Sequence, residues 1–551
     1  MVAEPQPIIP ADNFPITWET PEDAKLFWMA DLMHWPHGLS PLQATLDAPA
    51  FFRGLNLAVQ ELCMPIRSLN FKVFNHYVYS AAEPWSQDPD EMAQRMQQTQ
   101  AQMMQHIPGL LERWETVYEP EVRAINDETL NGNYAAMSDI DLSALLEKVV
   151  AKRERAGLLH FLAVFPAGGA TMFFEQVYTQ LFGEPKGSEH LQLLQGFPNK
   201  SLEVGDDLWR LSVEARKRPA VMKVLREIPP SKVSAALNDV EGGPAFLGAV
   251  DEHTAKYGWR AKDLDISATT WREDPTPVFG LVREYASRDD YDPEAEFKSL
   301  VAARQTREKV LIDKLNGGPV EMFTQALEMA QQYLPIQENH NFWIDQQGTS
   351  VQRMPVLDAG RRLVEAGRIS EVSDVFLLQY DELQDALRGG AGDLREVVAQ
   401  RRADWKRFQE MDPPAVFGTP PPPEQAADPF FGKFFGVAPP EHPDPRMING
   451  NAASAGKVTG IARVIPSLDT ADRLKSGEIL VCPATMPPWT PLFALAAAVV
   501  TDHGGVLSHT AIVAREYRIP AVVGTKIGTS LIKDGQTITV DGAEGTVRLE
   551  S

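Results

Sequence analysis

Thr501-Asp502-His503-Gly504-Gly505-Val506-Leu507-Ser508-His509-Thr510-Ala511-Ile512-Val513-Ala514-Arg515-Glu516 decides the reading of this chain of 551 residues. The apolar run before it, Ala496 to Val500, reads as a buried strand. Two glycines then turn the chain, and Ser508-His509 opens a helix. A side chain on the first helical turn points out of the open end, where backbone N–H groups have no intrahelical partner. Those groups and the helix dipole favour a bound dianion. Gly504 and Gly505 let the backbone approach a ligand closely, and Ser508 suits an N-cap that can also donate to a phosphate oxygen. An imidazole with a pKa of about 6.5 is largely the neutral nucleophile at pH 7. His509 is therefore the candidate phosphoacceptor, with Gly504, Gly505, Ser508 and Arg515 as the candidate phosphate-binding set. His503 is a rival nucleophile that precedes the glycines and lies outside the helix end. Spacing alone leaves open the plainer reading, that His509 is a polar residue at a helix start.

Size and charge narrow the function classes. The length implies several domains, and 44% hydrophobic residues suffice for packed cores. Fifty-two basic against 75 acidic residues give a net charge of −23, which argues against nucleic acid or an anionic membrane as partner. A phosphate site in such a chain must rely on local donors. Only Cys63 and Cys482 are present, so a disulfide framework is excluded and a cytoplasmic protein is expected. Residues 1–14 have no secretory pattern, and no apolar stretch is expected to reach the ~18 residues of a membrane helix.

Residues 1–410 read as a large, mainly α-helical domain. Helices are expected over Asp90–Tyr118, Leu142–Arg155, Val301–Asn316 and Arg361–Ala366, the last stopped by Gly367. Met92, Met96, Met103 and Met104 are read as core filling, and Phe71–Ser80 as a hairpin arm. Residues 411–446 form a proline-rich hinge linker, with Pro420 to Pro423 in a row; Phe430, Phe431, Phe434 and Phe435 are expected to dock part of it. Residues 447–551 read as a compact α/β domain. Its expected strands are Val458–Ile465, Ile479–Cys482, Ala498–Thr501, Ala521–Gly524, Thr537–Val540 and Thr546–Leu549. Thr490 and Pro491 look like the start of a short helix, and Asp541–Gly545 like a tight hairpin link.

From Gly456 to Val547 the sequence resembles the phosphohistidine swivelling domain of the PEP-utilising enzymes: phosphoenolpyruvate synthases, pyruvate phosphate dikinases and rifampicin phosphotransferases. The resemblance rests on Gly456-Lys457-Val458-Thr459-Gly460, Pro483-Ala484-Thr485, Gly504-Gly505, Ser508-His509, Ala511 to Glu516, Ile519 to Gly524 and Asp534-Gly535. It implies a β/β/α fold and places the phosphoacceptor on His509. Leu507 stands where the dikinases carry a regulatory threonine, so that regulation is not expected. The helical region is similar, more diffusely, to the substrate-binding domain of rifampicin phosphotransferases, through Gly196-Phe197-Pro198-Asn199-Lys200-Ser201, Tyr257-Gly258-Trp259-Arg260, Gly367-Arg368-Ile369 and Asp374-Val375-Phe376-Leu377. Gln337 to Asp345 is similar to phenylphosphate-synthase-like proteins.

No stretch matches an ATP-grasp phosphate loop or a Walker loop. The resemblance then implies a divided enzyme, a hetero-oligomer in which an ATP-grasp partner subunit binds ATP and Mg²⁺ and phosphorylates His509, while this chain holds no metal. ATP would end as AMP and phosphate, and the acceptor would be the hydroxyl of a small phenol or alkylphenol. A phenol ionises near pH 10, so a general base helps; His34, His37, His76, Glu338 and His340 are the candidates. The alternatives are the same histidine relay to an antibiotic or another alcohol or enolate, and a non-catalytic regulatory homologue.

Overall fold

The computed structural model describes the chain except residues 1–6, 11–12, 289–291, 316, 391, 412, 422–428, 437–438, 441 and 551. The architecture is multidomain and mainly helical, with a C-terminal α/β portion. Two compact units are present: Met1–Pro166 with Asp263–Ala268 and Trp343–Asp428, and Ala167–Lys262 with Thr269–Phe342 and Pro429–Ser551. This division differs from the boundaries expected at 410 and 446. The helical region contributes to both units, because the chain leaves and re-enters each one, and sequence texture does not register such crossings.

The first unit carries a four-stranded sheet of order β2-β3-β1-β4, with β1 Phe27–Ala30, β2 Ile66–Phe74, β3 Tyr77–Pro84 and β4 Val416–Gly418. The expected hairpin arm is β2–β3. It turns at Asn75 and His76, both at positive φ, and pairs Phe74 with Tyr77. Aromatic side chains of these strands meet Phe14 and Phe408 in a core of Phe14, Trp28, Phe74, Tyr77, Tyr79, Phe408 and Phe417. β4 lies inside the stretch expected to be linker, and it pairs with β1.

The helix Pro89–His106 is shorter than expected; Gly109, at φ +70°, separates it from Leu110–Arg113. Its methionines are not core. Met96 and Met104 are exposed, and Arg95 is the buried residue. Methionine at helical spacing suits a mobile surface as well as a core, and here the polar residues around it leave no apolar stripe to bury. The helix expected at Leu142–Arg155 runs from Asp139 to Phe182 with Pro166 inside it. Part of it is long and apolar enough to cross a membrane, contrary to expectation, but 67% of that window is buried within the protein.

In the second unit an eight-stranded sheet has the order β5-β12-β11-β7-β8-β9-β10-β6. Its strands are β5 Met447–Asn449, β6 Asn451–Ser454, β7 Lys457–Val464, β8 Ile479–Cys482, β9 Ala498–Thr501, β10 Ala521–Val523, β11 Thr537–Asp541 and β12 Thr546–Leu549. The run β7-β8-β9-β10 is parallel and the flanking pairs are antiparallel. The sheet core comprises Ile448, Ala462, Ile479, Val481, Ala498, Val500, Val522, Ile538, Val540 and Val547, each worth about 1–3 kcal/mol on burial. Fully buried parallel strands read as unbroken apolar runs, which is why β8 and β9 match the sequence reading residue for residue.

Candidate functional site

Parallel strands place loops and helix N-termini together beyond their carboxyl ends. β8 leads into Pro483 to Thr490, and β9 into the glycine loop and the helix His509–Glu516. Ser508 is the N-cap, its Oγ accepting from the Ala511 N–H at 3.4 Å. His509 is thus the first helical residue. Thr485 and Thr510 join the two loops through a 2.8 Å hydroxyl contact.

Both ring nitrogens of His509 are engaged. Nδ1 lies 2.9 and 3.1 Å from the two carboxylate oxygens of Glu338, and Nε2 lies 3.2 Å from Thr490 Oγ1. The two side chains of the pair are only 12% and 3% exposed. Ser201 Oγ donates to the same carboxylate at 2.6 Å. Burial pushes the Glu338 carboxyl up, but the His509 charge, the hydrogen bonds from His509 and Ser201, and nearby His340 outweigh it and hold the group below its ordinary range. Glu338 is therefore a carboxylate, which can only accept, so Nδ1 carries a proton and, in the neutral ring, Nε2 presents its lone pair. Such a pair fixes the ring, selects the tautomer and stabilises the imidazolium.

Around this centre the C-terminal α/β portion is seated on helices of the same unit. Glu516, at the end of the His509 helix, accepts the Gly196 N–H at 2.9 and 3.1 Å. Burial pushes its carboxyl up to about 8, against the lowering from Gly196 and Arg515. Arg518 donates to Ser299, the Tyr285 hydroxyl to the Pro491 carbonyl, and Val506 packs on the core of Phe174, Val177 and Leu194.

The glycine loop is approached by protein backbone. Gly505 N–H donates to the Phe434 carbonyl and Leu507 N–H to the Lys433 carbonyl, each at 2.8 Å. A Cβ on Gly505 would lie 2.3 Å from Lys433 O. Gly504 has a φ of +112°. The helix Pro429–Phe435, in the middle of the expected hinge, thus lies on the loop before His509. Pro422, Pro423 and the side chains of Phe430 and Phe431 lie outside the described residues. Arg515 is buried, and its Nη1 donates to the carbonyls of Ala453 and Val506, so it braces the loop.

Of the five general-base candidates, Glu338 reaches His509. His340 is near it, buried, with Nδ1 on the Ile336 carbonyl at 2.8 Å. His34, His37 and His76 belong to the other unit. There His34 contacts Asp31 and His37 contacts Asp263, each at 2.8 Å. For His34 the desolvation that lowers its pKa is outweighed by Asp31, whereas burial leaves His76 lowered. Cys482 is a buried strand residue whose thiol burial pushes up, as packing requires. Ser201 and Thr490 escape the sequence reading as site residues. Ser201 sits in a motif that carried only the family resemblance, and Thr490 in a position read as a helix start; their partners lie 137 and 19 residues away in the chain. Thr490 is the first residue of the helix Thr490–Phe493, with Trp489 as its cap.

Two family models match the chain: the rifampicin phosphotransferase fourth domain over residues 160–338, and the PEP-utilising enzyme mobile domain over residues 474–545. The first ends on Glu338 and the second contains His509. Among curated relatives, chondramide synthase cmdD of Chondromyces crocatus is 36% identical over 98% of this chain and 14% of its own length. The uncharacterized phosphotransferase YvkC of Bacillus subtilis is 30% identical over 97% of this chain and 63% of its own. A rifampicin phosphotransferase of Bacillus cereus is 28% identical over 77% and 48%. The chain therefore spans less than two thirds of each of these relatives. Together the matches support a PEP-utilising family member. Within that class it resembles rifampicin phosphotransferase.

Proposed function

We propose that this chain carries a phosphoryl group on Nε2 of His509 and delivers it to the hydroxyl of a small acceptor. The observation that carries the reading is the His509 ring, held through Nδ1 by a buried carboxylate with Nε2 presented beside Thr490. In the first step an N–P bond forms at Nε2 as the donor's P–O bond breaks. In the second the acceptor oxygen bonds to phosphorus, the P–N bond breaks, and its electron pair returns to the ring while the hydroxyl proton passes to a base or to water. Glu338 acts in both. It stabilises the cationic ring that forms on attack, and by keeping Nδ1 protonated it makes the ring a neutral leaving group. The donor is ATP with Mg²⁺, bound by an ATP-grasp partner subunit; one phosphoryl group passes to His509 and one is taken by water, so that ATP ends as AMP and phosphate. The setting is the cytoplasm, where the free thiols Cys63 and Cys482 stay reduced.

The proposed acceptor is a phenol or alkylphenol. The relatives named rifampicin phosphotransferase favour a second acceptor equally, a larger hydroxylated antibiotic on the same relay. Reconstitution with an ATP-grasp protein of the phosphoenolpyruvate synthase type, ATP, Mg²⁺ and a panel of phenols, rifamycins and aliphatic alcohols tests this. Acceptor-dependent AMP release with an O-phosphorylated product is expected. AMP release that no acceptor stimulates, with no such product, counts against it.

A further inference from the structure

Arg260 is a large charged side chain with no exposed surface. None of Nε, Nη1 and Nη2 has a hydrogen-bond partner among the described residues. Its main chain is held in place, the Trp271 N–H donating to its carbonyl at 2.9 Å. The guanidinium lies 5.6 Å from the Phe342 ring centre and 6.0 Å from that of Trp271, at the outer limit of cation–π distance. A buried guanidinium without a hydrogen-bond partner costs several kcal/mol, so such a group persists where an anion is meant to arrive.

The direction from which that anion comes is set by the neighbours. Burial lowers the guanidinium pKa to about 10, and the groups acting against that are Glu338 first, then Tyr257, Tyr517 and Glu203. The group is therefore still charged at neutral pH. Glu338 is the carboxylate on His509, and Tyr517 is the C-cap of the helix that His509 begins. Of the other cations near the loop, Arg515 is tied through Nη1 to two backbone carbonyls, with its Nε unpartnered among the described residues, and Lys433 pairs with Glu175 at 2.7 Å. In a chain of net charge −23 a dianion needs such a local charge.

We propose that Arg260 is the anion-binding residue that holds the phosphoryl group on His509 while the C-terminal portion is seated on the helices. The inference rests on the histidine relay proposed above. A planar fork of donors matches two phosphate oxygens at once, which a lysine cannot do. Its role is to bind and orient the dianion and to spread its charge during transfer.

The test is calorimetric titration of inorganic phosphate into the full chain at low ionic strength, with wild type, Arg260→Met, Arg260→Lys and His509→Ala. Wild type binds phosphate. Arg260→Met loses at least tenfold in affinity and Arg260→Lys at least threefold, and His509→Ala serves as the adduct-free control for the chemical phosphorylation described next. Phosphate binding that is absent from wild type, or unchanged in Arg260→Met, overturns the proposal. If Arg260→Met does not fold, Arg260→Lys decides, and an affinity equal to wild type overturns it. Treatment of the same proteins with phosphoramidate, a chemical phosphoryl donor, reads the relay separately. A chain that binds phosphate through Arg260 but never forms an adduct at His509 sinks the relay and leaves the anion site standing.

Discussion

Nδ1 of His509 lies 2.9 Å from Oε2 of Glu338, although 171 residues of chain separate them. This contact joins the last residue of the rifampicin phosphotransferase fourth-domain match to the helix start within the mobile-domain match. It turns a surface-type histidine at a helix N-terminus into a buried, oriented one. Its energetic content is a charge-assisted hydrogen bond in a low-dielectric setting, where removing one partner leaves the other uncompensated.

Glu338→Gln should slow phosphoryl transfer through His509 about a hundredfold or more, the scale of losing a carboxylate that sets the tautomer of a catalytic imidazole. The amide can offer its NH₂ to Nδ1 and so favour a proton on Nε2, where the phosphorus must bond. Single-turnover kinetics checks this; a rate within threefold of wild type speaks against the role.

The same pair predicts an acid limit. The Glu338 carboxyl is held below its ordinary 4.5 when folded, so its contribution is complete above that value and is lost as pH falls through the lowered one. Thermal melting of wild type against Glu338→Gln from pH 7 to 3 should show the difference between them shrinking below about pH 4.5.

Glu516 has the opposite sign. Its carboxyl is raised from 4.5 to about 8, so the seated state holds a proton that the free carboxyl releases. The stability of that state is complete below pH 4.5 and declines as pH rises through about 8. Glu516→Gln should therefore flatten the loss of melting temperature between pH 6 and 8.5 seen in wild type. Parallel curves for the two proteins contradict the assignment.

Gly505→Ala should destabilise the chain by about 1–3 kcal/mol, the usual cost of overpacking, because the new methyl meets backbone carbonyl oxygens and not a movable side chain. Chemical denaturation measures it. A midpoint unchanged from wild type indicates that the helix Pro429–Phe435 does not lie on the loop in solution.

Legibility in the sequence followed the range of the interaction. β8 and β9, the Ser508 cap and the turn after Arg361–Ala366 are set by local patterning, and the residues show them. The glycine loop was legible as a place of close approach, but the group that approaches is the Lys433–Phe434 backbone, which no local pattern encodes. Glu338 was legible as a candidate general base but not as the partner of His509, since nothing nearby in sequence marks that contact. The buried Arg260 stood in the sequence only as part of the Tyr257-Gly258-Trp259-Arg260 resemblance; its significance is a guanidinium with no hydrogen-bond partner among the described residues, a property of three dimensions. The methionines of Pro89–His106 misled because residue type and spacing do not reveal whether anything lies opposite them.

The most direct test of the account is mass spectrometry of this chain during turnover with an ATP-grasp protein, ATP, Mg²⁺ and an acceptor. The account predicts a phosphoryl adduct on His509 that is lost in acid, survives alkali and is absent from His509→Ala. Active turnover with no adduct at His509, or with the adduct on His503, contradicts it.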